Sequence, residues 1–489
     1  MIQQLILKLV TFLFTRKGII LMIGLLAVVF AASLWNRFIQ SDENWFGEQA
    51  YWLLHEGVVK LKSMPLVNNA SIKIHLFYKL FIYIGSGLIW IFGFNIWPLK
   101  VFTFLTFIAF LFVFKKYIRS TKIDDHFTHW LLPVLFIVTT PLLLEQVIIF
   151  RPDVLLMLMG FCSFYFLQKY LKSDNVKDAF IAGLFAGTSF LVHLNGNVFA
   201  ITGFIYLLTY KKYKGLLRFS VAAFITGILY LHNLLSIEAL QGALYEFQHI
   251  PNQSTDFSSN VLVNRLLAIF TEHQRFFWSS RVMSTSIFMI LSLLFFFKSI
   301  NRKVPGLLRF FLIQIIILNL FGGYVAERFL IYHLPYMAII IALAVTQIIN
   351  DQRKYLALTF LLVLVFQISA IVSSFKMVFR NNYNHSKVHH EVISHIPQGS
   401  RVLAPWNFIY NEIGNYQILS EKNIEYYNYQ KVDSVELKTI INKLNVDYII
   451  ASDLILGLTQ VDFDSVKVKG LFNYSPIYTE SNYAVLKKN

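Results

Sequence analysis

Apolar residues fall in long blocks along this chain, and the blocks set the first expectation. Stretches of near-membrane length occupy 18–36, 72–94, 97–114, 130–150, 154–171, 179–195, 197–210, 219–235, 283–298, 309–323, 329–349 and 355–375. About 20 apolar residues is what a helix needs to cross a bilayer. From residue 376 onward the long blocks stop. Short strand-like stretches, Arg401-Val-Leu-Ala and Tyr448-Ile-Ile-Ala, alternate there with a helical pattern near 434–443. The spacing predicts a small α/β domain over 376–489 following a membrane domain over 1–375. Lys8, Arg16 and Lys17 precede the first block, which carries no small-residue cleavage site and reads as an uncleaved span.

The polar residues between the blocks decide which runs cross. Basic clusters lie at Lys115/Lys116/Arg119/Lys122, Lys169/Lys172/Lys177, Lys211/Lys212/Lys214/Arg218, Lys298/Arg302/Lys303/Arg309 and Arg353/Lys354, and such clusters favour the cytoplasmic side. If every run crosses from a cytoplasmic N-terminus, all of these clusters fall outside. If the 72–94 run instead lies on the outer leaflet, all of them move inside together. That run contains Lys73, His75, Lys79 and the Gly85–Ser86–Gly87 break. The expected architecture is therefore an all-α polytopic membrane protein with about 11 crossings and interfacial helices in the first outer loop.

Composition agrees with this class. The chain has 489 residues, 56% hydrophobic and 14% charged, with 48 Phe and a mean hydropathy of +0.57. The net charge of +16 resides in the topological clusters and not along one amphipathic face, so it points to membrane lipids and not to nucleic acid. A single cysteine, Cys162, excludes an intrachain disulfide. Gly183-x-x-x-Gly187 matches the small-residue pattern of close helix packing.

In this topology the chemically useful groups converge on the outer face. Asp42-Glu43, Arg151-Pro-Asp153, His193-Leu-Asn195-Gly196, the polar loop 236–282 and Glu327-Arg328 all land there. The chain lacks a nucleotide-binding glycine loop, a Cys/His metal cluster and a nucleophile elbow. Carboxylates and cations at a membrane surface suit transfer from a lipid phosphate, in which an acid takes a proton from an acceptor hydroxyl and cations steady the departing phosphate. Asp42 and Asp153 also suit plain helix caps, as does Glu43.

The ordered set of motifs resembles the C-type (GT-C) glycosyltransferases, in particular glycosyltransferase family 39, which includes the protein O-mannosyltransferases and the lipid A aminoarabinose transferases. The resemblance covers about residues 18–350. It rests on the acid pair closing the first span, Lys73 ahead of "IHLFYKLFIYIGSGLIWIFGF", "FRPDVLLMLMGFCSFYF", "GTSFLVHLNGNVFAITGF", "YEFQHIPNQSTDF" and "ERFLIYHLPYMAIIIAL". The prolines usual after the lysine are absent here. Asn252-Gln253 stands where the family often has an arginine.

The resemblance implies an inverting transfer of a sugar from a polyprenyl-phosphate donor to a hydroxyl of a lipid, glycan or protein acceptor on the outer face of a bacterial inner membrane. It implies catalytic roles for Asp42, Glu43 and Asp153. Lys73, Arg328 and Arg151 are expected at the donor phosphate, and His193, Asn195, His249 and Glu327 at substrate. No cofactor is expected, and no divalent metal, because neither acidic loop contains an Asp-x-Asp pair. Two other readings keep the topology. A transporter or flippase would place ionisable residues near mid-bilayer, and a non-catalytic protein of the same fold would use its C-terminal domain to bind glycans.

Overall fold

The computed structural model describes residues 12, 15–36, 39–67, 69–121, 130–248, 267–321, 326–350, 354–379, 385–429, 436–451, 462–480 and 483–489. It is a bundle of apolar helices with a small mixed sheet attached at one end. Ile96–Ser120, Asp153–Ser173, Tyr213–Asn233 and Met283–Lys303 are long and apolar enough to cross a membrane, and Lys79–Phe92, Leu194–Thr209, Leu307–Phe321, Leu334–Asn350 and Leu356–Val372 are shorter apolar helices. Their outward side chains are apolar too, as at Phe112, Phe224 and Leu294, which is the reverse of a water-facing helix.

Two runs break where local chemistry demands it. The 130–150 run divides into Leu131–Val138 and Pro141–Val147, because Pro141 has no N–H to continue the first helix and opens the second instead. The 72–94 run is helical only over Lys79–Phe92. Its first residues belong to an irregular loop knitted by Leu61 N–H to Ala70 O (2.7 Å) and Ile74 N–H to Val59 O (2.7 Å). The Gly183/Gly187 pattern does what its spacing predicts: a Cβ on Gly183 would strike the Phe219 carbonyl, and one on Gly187 the Ala223 carbonyl, so the Val176–Val192 and Tyr213–Ile228 helices touch backbone to backbone.

The bundle has two chemically different ends. At one, four of the five basic clusters meet: Lys172 Nζ donates to Ser120 O (2.8 Å), Lys212 pairs with Asp174 (2.6 Å), and the Arg309 guanidinium lies over the Tyr210 ring at 4.6 Å. The helices that leave this end deliver Asp42, Arg151, Asp153, His193 and Arg328 to the other.

Beyond the last apolar helix, Lys354–Phe379, the five-stranded sheet has the order β2-β1-β3-β5-β4. Strands β1 (Arg401–Ala404), β2 (Gln417–Ser420) and β3 (Tyr448–Ala451) are parallel. Strands β4 (Tyr474–Glu480) and β5 (Tyr483–Lys488) form a hairpin that adds antiparallel to β3. The parallel strands read as continuous apolar runs because both their faces are covered. One cover is the Leu437–Leu444 helix, which buries Ile440, Ile441 and Leu444.

Candidate active site

The Ser41–Glu56 helix carries the central acid in its first turn. A capping box starts it, in which Glu43 Oε2 accepts the Gln40 N–H (2.9 Å), and two acids in the first turn complement the helix dipole. Asp42 keeps 38% of its side chain exposed and pairs through Oδ2 with Arg151 Nη1. Arg328 Nη1 lies 4.0 Å from the same oxygen.

Arg151 is the hinge of the cluster. It sits in the tight turn before the Asp153–Ser173 helix, and its Nε donates to Asp153 Oδ2 at 3.0 Å. Asp153 is fully buried and also accepts from the Tyr332 hydroxyl at 3.4 Å. One guanidinium thus joins an exposed acid to a buried one, with a second guanidinium alongside. Two carboxylates balance two guanidinium groups, which is the condition for keeping such charges partly out of water.

His193 closes one side. It follows the Val176–Val192 helix, is 8% exposed, and stacks on Tyr78 with ring centroids 4.3 Å apart. Its Nδ1 accepts the Asn195 N–H at 2.9 Å, so the ring's proton is on Nε2. Phe329 meets the same ring edge-on at 6.1 Å. Asn195 therefore serves the cluster through its backbone. Tyr78, Phe329 and Tyr332 were not legible as site residues: among 25 Tyr and 48 Phe nothing distinguishes them.

The other expected site residues have different surroundings. Glu43 is fully buried; its Oε1 accepts the Phe150 N–H (2.9 Å) and lies 3.7 Å from Lys100 Nζ. With both oxygens engaged, it locks the acid-bearing helix to the turn that carries Arg151 and, unlike Asp42, presents no surface to solvent. Glu327 turns to Arg281 (3.0 Å), which also holds Glu145 (3.2 Å). Lys73 is exposed, and among the described residues its side chain makes no hydrogen bond or ion pair. The buried cation of that segment is Lys79, which donates to Asn233 Oδ1 and lies over the Phe77 and Tyr230 rings at 4.3 and 4.4 Å. His249, Asn252 and Gln253 lie outside the described residues.

The neighbouring segments are held by one more acid. Glu246, on the Ile237–Gln248 helix, accepts the backbone N–H groups of His75 (2.8 Å) and Leu76 (2.8 Å) and contacts the His75 ring (2.9 Å). This fixes the loop that presents Tyr78 to His193.

Comparison with known proteins finds likenesses in both sequence pattern and fold. Residues 79–235 match the family model of dolichyl-phosphate-mannose-protein mannosyltransferase. The fold is similar to that of ArnT from Cupriavidus metallidurans bound to undecaprenyl phosphate, with a TM-score of 0.58 at 10% identity, covering 96% of this chain and 98% of that one. The apo form of the same protein superposes with a TM-score of 0.60 at 10% identity, over 96% and 97% of the two chains. The Archaeoglobus fulgidus oligosaccharyltransferase tethered to an acceptor peptide containing the NVT sequon gives 0.51 at 11% identity, over 98% of this chain and 74% of that one. No curated protein matches the chain by sequence. The chain thus shares the fold of ArnT along nearly its whole length, and residues 79–235 carry the mannosyltransferase family pattern.

Proposed function

We propose that this protein is an inverting membrane glycosyltransferase that moves a sugar from a polyprenyl-phosphate donor to an acceptor hydroxyl. The observation that carries the reading is a solvent-reachable carboxylate, Asp42, flanked by Arg151 and Arg328 at the bundle end opposite the basic clusters. In the proposed step the acceptor oxygen bonds to the anomeric carbon as the carbon–oxygen bond to the phosphate breaks. Asp42 receives the acceptor proton, and the bonding pair leaves on the phosphate oxygen. Arg328 faces the charge that develops there, while Arg151 and Asp153 hold Asp42 in line. His193, Asn195 and Tyr78 would border the sugar or acceptor.

The fold shared with ArnT, whose structure holds undecaprenyl phosphate, supports the donor class. The charges gather at the end of the bundle and not along its length, which favours an enzyme over a transporter. The proposal invokes no metal, since each site carboxylate is already matched to a guanidinium. It places the protein in a bacterial inner membrane with about 11 passes. Asp42 and the domain beyond 375 then face the outside.

Two measurements test these assignments. In vesicles containing undecaprenyl phosphate, Arg328→Ala and Lys73→Ala are each expected to weaken lipid-phosphate binding by about 10- to 100-fold, the worth of a charge-assisted contact. Lys73→Ala binding like the parent would leave that lysine outside the site, and unchanged binding in both would remove the phosphate role altogether. For orientation, a membrane-impermeant thiol reagent added outside is expected to label Gln40→Cys and to spare Tyr213→Cys and Ser120→Cys. Labelling of Tyr213→Cys would invert the topology. Mass spectrometry of lipid-linked and surface glycans with and without the gene identifies the sugar.

A further inference from the structure

Beyond the bundle, the sheet domain reaches back onto the Ser41–Glu56 helix within one residue of Asp42. The Tyr410 hydroxyl donates to the Glu43 carbonyl at 2.6 Å. Trp406 Nε1 donates to Glu48 Oε2 at 3.1 Å. Glu48 is fully buried and accepts from Ser63 N–H (2.9 Å) and Trp52 Nε1 (3.1 Å) as well, and burial pushes its carboxyl up against these donors. The loop joins in: Ser420 N–H donates to Ser63 O at 2.9 Å and Asn423 Nδ2 to the same oxygen at 2.7 Å.

Gly47 gives this contact a sequence signature. A glycine in mid-helix costs roughly 1 kcal/mol relative to alanine, and here nothing in the helix's own geometry requires it. A Cβ at Gly47 would collide with the Tyr410 hydroxyl. The missing side chain is what lets Tyr410 reach the carbonyl of the residue after Asp42. Phe94 backs the Tyr410 ring at 4.8 Å, and Tyr410 is 7% exposed, so the hydroxyl has little freedom to turn elsewhere.

We infer that Tyr410, seated against Gly47, is a positioning residue through which the C-terminal domain aims Asp42 at the acceptor. This rests on the assignment of Asp42 as the base. A hydrogen bond to the Glu43 carbonyl sets the pitch of the first helical turn, and an error of about 1 Å at a reacting group can cost up to about 100-fold in rate. The domain is then part of the catalytic apparatus and not only a binding appendage.

The test uses the full-length protein in vesicles, with the polyprenyl-phosphate-linked sugars extracted from its own source as donor. Tyr410→Phe keeps the ring and removes only the hydroxyl. It is expected to lower the saturating transfer rate about 10-fold, with half-saturation by donor unchanged. Gly47→Ala, which drives a Cβ into the place of the hydroxyl, is expected to lower the rate per folded molecule similarly, with some loss of melting temperature from the overpacked contact. A merely structural contact would lower the melting temperature in both variants while the folded fraction keeps its full rate, and that result overturns the inference. Asp42→Asn, run in parallel, separates the two claims. If it abolishes transfer while Tyr410→Phe works at the parental rate, the positioning role is wrong and the base stands; if Asp42→Asn itself transfers normally, the base assignment falls and takes this inference with it.

Discussion

Asp42→Asn is expected to slow sugar transfer by at least about 100-fold while the protein inserts and melts as the parent does. General-base catalysis contributes a factor of about 100 to 10,000, and the amide keeps the shape of the carboxylate but cannot take up the acceptor's proton. The side chain is 38% exposed, so losing its charge strands little in the interior. Arg151 retains Asp153 as a partner at 3.0 Å. The neighbouring substitution makes the contrast. In Glu43→Gln the amide cannot match both the Gln40 and Phe150 N–H donors that the carboxylate accepts. Its expected penalty is about 1–3 kcal/mol of stability, with a smaller loss of rate per folded molecule. Transfer at the parental rate by purified Asp42→Asn protein would reduce the acid pair to a helix cap and refute the catalytic reading.

Arg151→Ala is expected to be the most damaging single change to the folded state of the site. Arg151 is the ion-pair partner of two carboxylates, and Asp153 beneath it is fully buried. Removing one partner of a buried pair leaves a charge without compensation, at a cost of about 3–5 kcal/mol. Both the melting temperature and transfer should fall. Two companion variants separate charge from shape. Arg151→Lys restores the charge but not the planar fork that spans Asp42 and Asp153, so stability should return in part and transfer remain low. Arg151→Ala combined with Asp153→Asn removes both charges, and should recover stability without recovering transfer. A melting temperature unchanged in Arg151→Ala would mean that Asp153 is held by other groups, and that the arginine is peripheral.

Much of this protein was legible in its sequence, for physical reasons that can be named. Long apolar blocks admit few alternatives, because backbone polar groups in lipid must be bonded within their own helix. Four of the five basic clusters that the charge argument put on one side do meet, through Lys172, Lys212 and Arg309. Strands β1 and β3 announced themselves as short apolar runs. The β4–β5 hairpin did not, since its polar-alternating residues 474–488 carry no glycine-rich turn signal.

The site divides along the same line. Sequence alone brought Asp42, Arg151, Asp153, His193 and Arg328 to one end of the bundle, because chain direction and span count place them there. It could not say which of two adjacent acids stays exposed. Neighbours on a helix point about 100° apart, and only the turn at Phe150 shows that Glu43 is the buried one. Nor could it say which of Lys73 and Lys79, six positions apart in the same apolar run, is the buried one, because burial is set by Asn233 and Tyr230 from a distant segment. The reach of Tyr410 to Glu43 spans most of the chain. Local pattern reports what a residue prefers within a few turns of its own backbone; which residue of a pair is buried is decided by contacts between segments that no periodicity encodes.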